Sequence, residues 1–163
     1  MSPRPQSQRD PAASDAVLNF VEKLALTLNN VGLPRMPARV FSTLLVAPDD
    51  GMTAADLAET LRISPAAVSG AVRYLVQVGM AQRGRRPGER RDHYYIGEDM
   101  WYETVSARDQ IYHQLASVLD EGRSAVGPET VAGRRLADTR DFMAFIGKEM
   151  ALVVDRYRAQ RES

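Results

Sequence analysis

The sequence predicts a mainly α-helical chain that carries one small β-hairpin. Apolar residues recur at three- and four-residue steps in six separate stretches. Cap residues and Gly or Pro stops fall between those stretches. One region, around Pro87-Gly88, loses the helical period and is flanked by aromatic and β-branched residues instead.

Residues 1–13, which read MSPRPQSQRDPAA, hold no apolar period and are expected as a disordered tail. Asp15 is expected to cap a first helix that carries Val17, Phe20, Val21, Leu24, Leu28 and Val31. Gly32 stops it, with Pro34 just beyond. A second helix has Pro37 in its first turn, buries Val40, Phe41, Leu44 and Leu45, and ends before the turn Pro48-Asp49-Asp50-Gly51. Thr53 opens a third helix, with Asp56 three residues on and Leu57, Ala58 and Leu61 inside. Ser64-Pro65 starts a fourth, whose buried stripe is Val68, Val72, Leu75 and Val76 and whose stop is Gly79.

Two extended arms follow, Met80–Arg83 and His93–Ile96, around the Pro87-Gly88 turn. Asp99 is expected to cap a fifth helix bearing Trp101, Val105, Tyr112, Leu115, Val118 and Leu119, interrupted at Gly122 and at Gly127-Pro128. The sixth helix runs from about 129 to 160. Its seam, Leu136, Thr139, Met143, Ile146, Met150, Val153 and Tyr157, alternates steps of three and four, a period of about 3.5 that suits helix pairing.

The chain of 163 residues is long enough for a real hydrophobic core, and 44% of it is apolar, as in ordinary globular chains. No apolar run nears the roughly 20 residues that span a bilayer, and the N-terminus lacks the apolar core of a signal peptide. A cytoplasmic location with no membrane partner is therefore expected. Cysteine is absent, which excludes disulfides, thiolate chemistry and cysteine-based metal sensing. His93 and His113 are far apart, so no metal and no cofactor are expected. No Gly-rich phosphate loop or GxSxG element occurs, and the adjacent Asp49 and Asp50 are explained by their turn, so no catalytic residues are assigned.

Net charge is zero, but its distribution is uneven. Five arginines, Arg83, Arg85, Arg86, Arg90 and Arg91, fall within nine residues that hold one acid, Glu89. Such a cluster at a hairpin tip repels itself unless an anion is near. Two short helices joined by the tight turn Thr60–Ser64, followed by this basic hairpin, make a winged helix-turn-helix. In that arrangement the second helix enters the major groove of DNA. Its exposed residues here are Ser64, Pro65, Ala66, Ser69, Gly70, Arg73 and Tyr74. The small ones permit close approach, the serines bond phosphates or bases, and Arg73 suits a phosphate or a guanine edge. The wing arginines suit phosphates and a narrow minor groove.

The stretch GMTAADLAETLRISPAAVSGAVRYLVQVGMAQRGRRPGERRDHYYIGEDMW, Gly51 to Trp101, resembles the MarR-type regulators, in particular their GbsR-like branch. LPRMPARVFSTLLV before it resembles that group's second helix, and GRRLADTRDFMAFI its last. The resemblance implies a homodimer that binds near-palindromic double-stranded DNA operators. Residues 14–48 would then support and dimerise, 49–98 form the DNA-binding lobe, and 99–163 form the C-terminal dimerisation helices. Val17, Phe20, Leu24, Leu136, Met143, Ile146, Met150, Val153 and Tyr157 are the dimerisation candidates, with packing of the seam on the fifth helix as the alternative. The expected function is transcription regulation, most simply repression. A small-molecule effector that changes the spacing of the two recognition helices would provide release. A winged helix that serves only as a protein–protein adaptor is the competing function.

Overall fold

The computed structural model describes residues 11–161, with backbone alone at 11–14 and 106–110. Six helices and three short strands follow in the order α1 (Pro11–Asn30), α2 (Arg35–Leu45), β1 (Met52–Thr53), α3 (Ala54–Leu61), α4 (Pro65–Gln77), β2 (Gln82–Arg85), β3 (Asp92–Tyr95), α5 (Met100–Val126) and α6 (Val131–Arg161). The fold is thus mainly helical with a small sheet, as a winged helix-turn-helix requires. The chain divides after Glu98 into two compact units. None of its described helices is long and apolar enough to cross a membrane.

In the first unit α2 is central and packs against α1, α3 and α4. Val21 and Ala25 of α1, Ala38, Val40, Phe41 and Leu44 of α2, Leu57 and Leu61 of α3, and Val68, Ala71, Val72 and Leu75 of α4 are buried. Side chains such as Phe41 and Leu57 contribute about 1.5–3 kcal/mol each on leaving water. Two residues expected inside, Leu45 and Val76, are exposed, because each lies at the margin of its apolar stripe near the helix end.

Helix α1 is already formed at Pro11, the first described residue and inside the expected tail, so Asp15 falls within the helix and does not cap it; residues 1–10 lie outside the described residues. Val31 lies beyond the end of α1 and is exposed. Gly32 ends the helix at φ 104°, with Leu33 N–H donating to the Leu28 carbonyl at 3.0 Å. Pro37 stands in the first turn of α2, where its missing N–H is not needed.

The expected caps of α3 and α4 are present. Asp56 N–H donates to Thr53 Oγ1 at 3.2 Å, and Asp56 Oδ2 accepts from Thr53 N–H at 2.9 Å, a reciprocal capping box. Ser64 Oγ accepts from Ala67 N–H at 3.2 Å, and Pro65 occupies the first helical position. Between them Arg62 adopts the left-handed region (φ 51°, ψ 49°), alone among described non-glycine residues. Gly79, at φ 75°, closes α4, with Met80 N–H donating to the Leu75 carbonyl at 2.8 Å.

The sheet has the order β1-β3-β2 and is antiparallel throughout. Its first arm lies two residues further along the chain than expected, at 82–85, its second one residue earlier, at 92–95, and β1 was not foreseen. Two residues carry too weak a period to announce a strand. β1 pairs Thr53 with His93 and Met52 with Tyr94. Gly51 before it is required twice: its φ is 75°, and an added Cβ would lie 2.3 Å from the Tyr94 carbonyl oxygen.

In the second unit α5 and α6 form an antiparallel hairpin. Asp99 stands at the N-cap of α5 but makes no side-chain cap bond. Gly122 does not interrupt α5, which runs on to Val126. An added Cβ there would meet Leu136 Cδ1 at 3.5 Å, an ordinary van der Waals contact, so packing on α6 does not demand this glycine. Gly127, at φ 91°, ends α5, and Thr130 Oγ1 caps α6 by accepting from Gly133 N–H at 2.9 Å. Arg140 of α6 bridges to Asp120 of α5 at 2.6 Å, and its proton is held more tightly than usual by Asp141 first and Asp120 second.

Candidate nucleic-acid interface

Helix α4 presents one exposed stripe at helical spacing. Ala66, Ser69, Gly70 and Arg73 stand at i, i+3, i+4 and i+7 and all are exposed, as are Ser64 and Pro65 at its start, while Tyr74 is half-buried. The buried residues Val68, Ala71, Val72 and Leu75 fix the opposite side. Gln77, four residues beyond Arg73, extends the stripe and was missed. It carries no motif of its own, and only the phase of the helix reveals it. The Ser64 oxygen is engaged by Ala67 N–H, so its hydroxyl proton remains to donate outward.

Gly70 is the informative member. An added Cβ there meets nothing within 4 Å. Glycine inside an exposed helix costs about 1 kcal/mol relative to alanine. Neither packing nor backbone φ within the chain calls for it.

The wing differs from its sequence-level picture. Its arginines are not left to repel one another, because the fold supplies acids that the local count omitted. Asp92 is the register partner of Arg85 and takes its Nε at 2.9 Å, while Arg83 Nη2 reaches the other Asp92 oxygen at 2.6 Å. Arg85 first and Arg83 second hold the Asp92 carboxyl below its ordinary range. Arg86 pairs with the Asp50 carboxylate, bonds the Asp50 carbonyl at 3.3 Å and lies 3.7 Å from Glu89. It thereby ties the wing to the Pro48–Gly51 turn, 36 residues away in sequence. Arg90 and Arg91 are exposed and make no ion pair among the described residues.

On the other face of the hairpin His93 is buried opposite Gly84, its Nε2 3.5 Å from a Glu89 oxygen. Behind the helical pair, Arg39 of α2 holds Glu22 of α1 and donates to the Leu61 carbonyl at the end of α3 at 3.2 Å. Sequence reasoning missed this strut, since its three partners lie far apart along the chain.

Of the dimerisation candidates, Val17 and Phe20 of α1 and Met150, Val153 and Tyr157 of α6 are exposed in the single chain. Leu24, Met143 and Ile146 are half-buried, and Leu136 lies against Gly122 of α5. Phe142, Phe145 and Leu152 of α6 and Ile111, Leu115 and Val118 of α5 are further exposed apolar residues.

Residues 31–92 match the family model of the MarR family, and residues 99–160 match that of MmpR5-like MarR family transcriptional regulators. The chain belongs to the MarR family. Within it, the HTH-type transcriptional regulator MmpR5 of Mycobacterium tuberculosis is 25% identical over 146 residues, covering 89% of this chain and 88% of that protein. A crystal structure of a transcriptional regulator superposes with a TM-score of 0.80 at 25% identity, covering 88% of this chain and 99% of that one. Neither match carries the description of the GbsR-like branch.

Proposed function

We propose that this MarR-family chain is a transcription regulator that binds double-stranded DNA sequence-specifically as a cytoplasmic homodimer. The observation that carries the reading is the α4 stripe of small and polar residues around Gly70, whose lack of a side chain has no use inside the chain. A surface that must approach within contact distance of a groove floor does have a use for it. Arg73 at the far end of the stripe suits a guanine edge or phosphate, and Arg90 and Arg91 on the wing suit phosphates beside it.

Dimerisation follows from the same chemistry. One lobe makes few phosphate contacts, whereas two recognition helices spaced about 34 Å apart enter successive major grooves on one face of DNA. The exposed apolar residues of α1, α5 and α6 offer the surface for a second copy. A dimer that occupies an operator acts most simply as a repressor, and an effector that changes the spacing of the recognition helices would release it. Placement in the GbsR-like branch rests on the sequence resemblance of residues 51–101 and of the stretches LPRMPARVFSTLLV and GRRLADTRDFMAFI on either side.

The test is selection of bound genomic fragments, followed by titration of the recovered duplex and a scrambled one at low and high salt. A selected near-palindrome bound far more tightly than its scramble is expected. Recovery of no fragment, with equal weak binding to both duplexes, would leave the chain as a protein–protein module.

A further inference from the structure

The five wing arginines are held in three distinct ways. Arg86 is locked: it engages the Asp50 carboxylate, the Asp50 carbonyl and Glu89, and its side chain is 37% exposed. Arg90 and Arg91 make no salt bridge among the described residues. Arg83 and Arg85 are paired, but loosely placed. Both sit on one carboxylate, one on each oxygen, with side chains 54% and 66% exposed. Asp92, 23% exposed, lies beneath them.

The geometry points to Asp92 as a built-in phosphate mimic that holds Arg83 and Arg85 until a nucleic-acid backbone takes them over, and so lowers the affinity of the wing for any duplex. This rests on the DNA-binding reading above. Two oxygens of a carboxylate offer arginine the same planar acceptor pair as two oxygens of a phosphate. Exposed ion pairs in water are weak, so a polyanion competes with Asp92 readily. The strand register explains why both arginines reach it. Arg85 is directly opposite Asp92, and Arg83, two residues back on the same face of β2, is its diagonal neighbour. When the arginines leave, Asp92 remains as an uncompensated negative charge close to phosphates, which opposes binding whatever the base sequence.

Asp92→Asn keeps the shape and removes the charge. The probe is a random-sequence duplex, titrated against the full chain over a range of salt. Asp92→Asn is expected to bind roughly two- to fivefold more tightly near 0.1 M salt. The slope of log affinity against log salt should steepen by up to about 0.9, for the one internal negative charge removed. The gain should vanish when Arg83→Gln and Arg85→Gln are added. Asp92→Ser, also uncharged, repeats the comparison should the asparagine variant fold poorly. Unchanged or weaker binding by both neutral variants, with the unaltered protein still binding, overturns the mimic and leaves the DNA-binding reading standing. A gain that survives loss of both arginines also overturns it, since the effect would then be bulk charge alone. Tighter binding by the variant when the unaltered protein barely binds supports it. Failure of every form to bind duplex removes both readings together.

Discussion

Arg39 of α2 grips Glu22 of α1 with two guanidinium nitrogens, its Nε lying 2.9 Å from Oε1 and 3.1 Å from Oε2. The same side chain donates to the Leu61 carbonyl, so one arginine joins α1, α2 and the last turn of α3. That carbonyl belongs to a helix end, where the backbone acceptors have no partner inside the helix. Arg39→Ala should therefore lower stability by about 1.5–3 kcal/mol, the range for hydrogen bonds to charged groups. Urea unfolding of the two proteins measures it, and an unchanged midpoint would show the strut to be inert.

The capping box at Thr53 and Asp56 predicts a pH dependence. Hydrogen bonds from the Thr53 hydroxyl and then its backbone N–H hold the Asp56 carboxyl below its ordinary value. A carboxyl depressed by folding adds stability above its unfolded pKa of about 3.9, and that stability is lost as pH falls through the lower folded value. Asp56→Ala should be less stable than the unaltered protein at neutral pH, with the gap narrowing below about pH 4. A gap that stays constant from pH 7 to pH 3 would mean that ionised Asp56 contributes nothing.

Gly70 should separate stability from binding. Gly70→Ala has room for its methyl group and should raise stability by up to about 1 kcal/mol. If the α4 stripe faces the groove floor, the same change should weaken duplex binding. Thermal melting and duplex titration together decide, and a stabilised variant with unaltered binding would move the interface away from Gly70. Arg73→Ala should reduce discrimination between operator and scramble by roughly 1–3 kcal/mol if it reads a base, and weaken both equally if it bonds phosphate.

On the wing, Arg90→Ala with Arg91→Ala removes the two arginines that make no salt bridge among the described residues. The salt slope should flatten by about 1.8, since each lost phosphate contact accounts for roughly 0.9. An unchanged slope would take both side chains off the backbone.

The homodimer is tested at residues whose loss should spare the folded chain. Val153 and Tyr157 of α6 are 47% and 57% exposed in the single chain. Val153→Asp with Tyr157→Asp would bury unpaired charge only if a second copy covers them. Sedimentation should then find a folded monomer that no longer binds operator tightly. A variant that stays dimeric would exclude this part of α6 from the interface.

What the sequence determined by itself is local. The helices, the Thr53 and Ser64 caps, the Gly32 and Gly79 stops and the exposed stripe of α4 all depend on residues within a few positions of one another. Period and side-chain chemistry suffice to reveal them. Where a residue's chemistry suited a role that its place did not use, expectation and structure differ: Asp15 lies within α1, Asp99 stands at the N-cap of α5 without a side-chain cap bond, and Gly122 stays helical. Tertiary structure alone decided the rest. It paired the two-residue strand β1 with β3, brought Asp50 to Arg86 from 36 residues away, and set Asp92 across from Arg85 by strand register. A run of five arginines looks like uniform positive charge along the chain, but charge acts through distance in space. Folding gives three of these arginines salt bridges and leaves Arg90 and Arg91 without one among the described residues.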